Sequence, residues 1–68
     1  MNAKLHTRIT LEQTATDFLF AAENNLPNMI AAMTDELDAA HRQCEAITGL
    51  EWYEFVNNIQ DKIHGYNH

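Results

Sequence analysis

Between positions 26 and 47 the apolar residues Leu26, Ile30, Met33, Leu37, Ala40, Cys44 and Ile47 recur at steps of 4, 3, 4, 3, 4 and 3. This is the a/d rhythm of a helix that buries one seam against another helix. A strand would need strict alternation instead, because its side chains switch face at every residue. The seam therefore predicts an all-α fold. It also assigns seven side chains to burial, in a core or a dimer interface, so function has to be sought on the remaining faces.

With 68 residues the chain has room for one domain. A domain of this size buries only about 60% of its unfolded surface, so small folds commonly add a disulfide, a metal or a subunit interface. One cysteine excludes an intramolecular disulfide. Homodimerisation is the expected addition.

Residues 1–9 read as an extended or flexible N-terminal arm, with Leu5, Thr7 and Ile9 alternating with His6 and Arg8. Thr10 followed by Gln13 reads as a capping box that opens the first helix. Its apolar positions Leu11, Ala15, Phe18, Leu19, Ala22 and Leu26 fall within an arc of roughly 100°. Phe20 points the other way, among Thr16, Asp17, Glu23 and Asn24.

Asn24, Asn25, Pro27 and Asn28 then break the pattern. A turn is expected here, since proline is comfortable in a first helical turn but costs about 3 kcal/mol or more inside a helix. Because the stripe nearly keeps its phase, one helix kinked at Pro27 is the alternative.

The second helix carries the seam, an Asp38–Arg42 pair at i,i+4 and a lane of small residues, Ala32, Ala39 and Ala46. Gly49 suits its stop, and Thr48 with Glu51 suits the next start. The third helix would bury Trp52, Phe55, Val56, Ile59 and Ile63, with Tyr53 half-buried beside them. Gly65 ends it, and residues 65–68 form a frayed tail. The expectation is a single helical domain over 10–64: two or three antiparallel helices, a hairpin or three-helix bundle, completed by homodimerisation.

Four Lys and Arg stand against ten Asp and Glu, a net charge of −6. So few cations argue against direct nucleic-acid binding, which works by neutralising phosphates. A helix-turn-helix centred on Gly49 fails for the same reason: its second helix would open Leu50, Glu51, Trp52, Tyr53, Glu54 and repel the backbone. No apolar run approaches the roughly 20 residues of a membrane span, and there is no signal-peptide core. A lone thiol without a secretory signal points to the cytoplasm.

His41 and Cys44, three apart on one helix, could place two ligands on a metal, with His64 or His68 completing the set. Structural zinc sites normally show two close ligand pairs, however, and a seam cysteine is ordinarily core. No orienting third group turns the same pair into a nucleophile. No cofactor and no catalytic role is expected. The residues without a structural task are Phe20 with Asp17 and Glu23, and the row Asp35, Glu36 and Asp38. An aromatic anchor rimmed by carboxylates suits a basic protein surface. The expected function is therefore a small acidic regulator or inhibitor acting by protein–protein interaction. The alternative is a nucleic-acid-linked role, as the acidic partner of a transcription factor or a nucleic-acid mimic.

Overall fold

The computed structural model describes residues 7–65. They form four helices, α1 (Arg8–Glu23), α2 (Pro27–Ala32), α3 (Thr34–Thr48) and α4 (Trp52–His64), with no strand among them. Residues 1–6 of the expected arm and 66–68 of the expected tail lie outside the described residues.

α1 opens at Arg8 rather than at Thr10. The Thr7 hydroxyl accepts from the Thr10 N–H at 3.2 Å, and the Thr10 hydroxyl accepts from the Thr7 N–H at 2.7 Å. This is a reciprocal capping box with threonine in the position usually held by Glu or Gln. Thr10 is thus the third helical residue, and Gln13 has no part in the cap.

The chain turns before Pro27. Asn25 takes a left-handed conformation at φ 55, Leu26 N–H donates to the Ala21 carbonyl at 2.8 Å, and Asn25 N–H donates to Ala22 at 3.2 Å. Together these are a Schellman motif, which satisfies carbonyls that a helix end leaves unpaired. Pro27 follows as the first residue of α2, where its missing N–H costs nothing.

A fourth helix appears because the expected second helix divides at Met33, which sits at φ −93, ψ 5. The Thr34 hydroxyl donates to the Ala31 carbonyl at 2.8 Å. It thereby competes for the acceptor that the Asp35 N–H would use in an unbroken helix. Asp35 and Glu36 then occupy the first turn of α3, where negative charge complements the helix dipole.

At the last joint Gly49 is left-handed at φ 82, and its N–H closes on Glu45 at 2.8 Å. Thr48 does not cap α4. Its hydroxyl donates back to the Cys44 carbonyl at 2.9 Å and accepts the Leu50 N–H at 3.1 Å, tying the last turn of α3 to the loop that follows. Glu51 precedes α4 and makes no side-chain cap.

α1 packs against all three other helices. The core joins its Leu11, Ala15 and Leu19 to Ala40 and Cys44 of α3 and to Trp52, Phe55, Val56 and Ile59 of α4. Phe18, Leu37 and Leu50 lean on this cluster from its edge. Two members of the expected first stripe, Ala22 and Leu26, stay exposed, and Ala21 is buried instead. The reason is the Schellman turn, which brings the chain back over the Ala21 side. Ile63 lies a turn beyond the last buried residue of α4 and is exposed, as is Tyr53 at 62%.

Three stability measurements follow from this packing. Phe55→Ala removes a fully enclosed ring and should cost about 3–5 kcal/mol by urea denaturation. Asn25→Gly should hold or slightly raise stability, whereas Asn25→Ala should lower it by about 1 kcal/mol, because only the latter worsens a left-handed position. Thr14 is buried, and its hydroxyl makes no hydrogen bond among the described residues. Thr14→Val should therefore stabilise the fold by about 1 kcal/mol, since it replaces an unpaired polar group with a methyl.

Candidate interaction surface

Successive helical residues turn by about 100°, so Ile9 and Phe20, eleven apart, lie within about 20° of each other three turns along α1. They sit opposite the Leu11–Ala15 face and are 68% and 55% exposed. Gln13 and Thr16 stand between them, giving steps of 4, 3 and 4, the rhythm of a seam turned toward solvent. Ile9, Glu12, Gln13, Thr16 and Asp17 line an open depression of about 510 Å³. Its acidic members carry opposite flanks of the lane.

The acidic neighbours differ in what already holds them. Glu12 faces Arg8 at 3.8 Å, an exposed pair of small energetic weight. Asp17 makes no hydrogen bond or ion pair among the described residues. Glu23 Oε2 lies 3.0 Å from His64 Nε2 and accepts from Gln60 Nε2 at 3.4 Å. These bonds join the C-terminal ends of α1 and α4. The His64 bond, and then the Gln60 bond, hold the Glu23 carboxyl below its usual range.

The second acidic row lies on α3, and no hydrogen bond or ion pair among the described residues links it to Phe20, Asp17 or Glu23. Asp35 and Glu36 serve the start of their helix, and Asp38 is paired with Arg42. Only Phe20 and Asp17 are left without a structural task. Ile9 is a member of the surface that sequence reasoning missed, because the alternation of residues 5–9 reads as extended chain. The Thr7–Thr10 pair was the available signal for an earlier helix start.

Along the seam, Met33, Ala40 and Cys44 are buried, and Ile30 and Leu37 are partly so. Leu26 and Ile47, at its two ends, are 37% and 36% exposed. Ala32 and Ala46 of the small-residue lane are exposed, and Ala39 is half-buried.

His41 and Cys44 diverge. Cys44 is enclosed, with its Sγ 3.5 Å from the Thr48 hydroxyl, while His41 sits at the surface with its ring 5.8 Å from that of Trp52. His64 is engaged with Glu23, and His68 lies outside the described residues. Among the described residues no group of three His, Cys, Asp or Glu could hold a metal ion, and no helix is long and apolar enough to cross a membrane. Comparison of the chain with protein-family models, curated proteins and solved structures finds no match.

The Glu23 clamp makes a pH-dependent prediction. A carboxyl whose folded value is depressed contributes stability above its unfolded value and loses it as pH falls through the folded one. Glu23→Gln should therefore melt slightly below the parent chain at neutral pH. The gap should close as pH drops through and below the usual carboxylate range. Melting curves at a series of pH values would show whether it does.

Proposed function

We propose that the protein works by protein–protein interaction, as a small acidic regulator or inhibitor of a partner with a basic surface. The observation that supports this reading is the outer lane of α1, where Ile9 and Phe20 stand exposed between carboxylates, outside the core cluster. Aromatic side chains supply binding energy when a partner desolvates them, and surrounding charges speed encounter. The net charge of −6 extends that attraction beyond the lane.

The reading includes a homodimer. Leu26, Ile30 and Ile47 leave apolar surface along the α2–α3 seam, and the small Ala32 and Ala46 beside them would let a second copy approach closely. It also places the protein in the cytoplasm, a reducing setting that suits the free thiol of Cys44.

Two measurements test the proposal. Tagged protein should capture a basic partner from its host's extract, with retention that falls as salt rises. Light scattering should give a dimer mass, and Ile30→Asp should reduce it to the monomer by placing a charge in the apolar seam. Failure to retain any partner at low salt would remove the regulatory reading. A monomer mass at high concentration would remove the dimer alone.

A further inference from the structure

We infer that the outer face of α1 docks a cationic amphipathic helix of the partner. A lysine or arginine enters the depression between Glu12 and Asp17, and an apolar side chain two turns away packs on Phe20. This rests on the interaction reading above and gives it a site and a ligand chemistry.

The depression has the parts that a long cationic side chain needs. Ile9 offers apolar surface to an aliphatic stem, Gln13 and Thr16 offer neutral polar groups, and the two carboxylates stand on opposite flanks. Lys and Arg bind in this divided way, with the stem on apolar atoms and the head among acceptors. Asp17 has no competing partner among the described residues. Glu12 has only the exposed Arg8, at 3.8 Å, which an incoming guanidinium can displace at small cost.

Spacing then defines the ligand. Gln13 lies within the depression and Phe20 lies seven residues on, about 10.5 Å at the helical rise. A partner helix lying along α1 would meet both points with side chains about seven residues apart, on one face. An extended segment would cover the same distance in about three residues and turn alternate side chains away.

Charge decides between occupants. A second copy would bring its own net −6 and carboxylates on both flanks of the same lane, so self-docking here sets like charges together. A neutral helix would satisfy Phe20 but leave Asp17 covered and unpaired, which costs free energy. A cationic helix satisfies both.

The test uses the full-length chain and a displayed library of helix-forming peptides with randomised exposed positions. Selected peptides should carry Lys or Arg seven residues from a large apolar residue and should lose affinity as salt rises. Binding of a selected peptide should fall about tenfold or more with Phe20→Ala and with Asp17→Lys. Thr16→Arg, which fills the depression with a cation without touching the core, should act likewise. Glu36→Lys on α3 should have little effect. Circular dichroism of each variant separates lost binding from lost fold.

Neutral or acidic selected peptides, or no binder at all, would overturn the inference. So would binders indifferent to Asp17→Lys and Thr16→Arg when both variants are folded. A dimer in the parent that dissociates on Phe20→Ala would make a second copy the occupant and overturn it too. If a host partner ignores all three α1 substitutions but is lost with Ile30→Asp, this site falls while the regulatory reading stands.

Discussion

Close approach between helices requires small side chains where they cross, and this chain supplies Ala15 on α1 and Ala40 and Cys44 on α3 at positions with no solvent exposure. Helix axes normally pack 8–10 Å apart, the nearer distances being open only where side chains are small. With α1 drawn against α3 in this way, Leu11, Leu19 and Phe55 can fill the remaining space. A single helix layer around α1 then suffices for a chain of this size. Enlarging Ala15 or Ala40 would push the helices apart and uncover the larger residues beside them.

The same arrangement determines what α1 can offer to a partner. Because α1 packs on all three other helices, its inward arc is held by the core, and the opposite lane is carried on the same helix. Ile9, Thr16 and Phe20 are consequently presented on a preorganised helix rather than on a loop. A ligand that lands there loses little in ordering its receptor. The Glu23 clamp to α4 and the Thr7–Thr10 cap secure the two ends of that helix, so the lane is braced where helices usually fray.

Much of the architecture was legible in the chain. The seam steps, the Asn-Asn-Leu-Pro break and Gly49 point to all-helical structure with joints at Pro27 and Gly49, two of the three that the structure shows. Their physics is local and strong: proline cannot continue a helix, and glycine accepts a positive φ. What escaped depends on contacts that sequence spacing does not encode. Threonine at Thr10 serves as the reciprocal partner of Thr7, although a capping box is ordinarily recognised by Glu or Gln. The break at Met33 falls beside the Thr34 hydroxyl bonded to Ala31, with no proline or glycine in the sequence to announce it. Ala21 replaces Ala22 in the interior because a turn four residues later decides which side is covered. Of the surface residues, Phe20 was visible from helical phase alone. Its companion Ile9 was hidden by the misplaced helix start, and the Glu23 clamp depends on a residue forty-one positions away.

The chain has one tryptophan, and the fold places it to useful effect. Trp52 begins α4, is almost fully enclosed, and lies 5.8 Å from the ring of His41 and 6.1 Å from that of Phe55. Its emission is therefore an optical reading of whether the α3–α4 pair is closed, made without any label. The α1 lane lies on the far side of its helix from the core that encloses this chromophore. An event that alters Trp52 fluorescence reports a change inside the hairpin, whereas a ligand resting on Ile9 and Phe20 should leave the signal quiet.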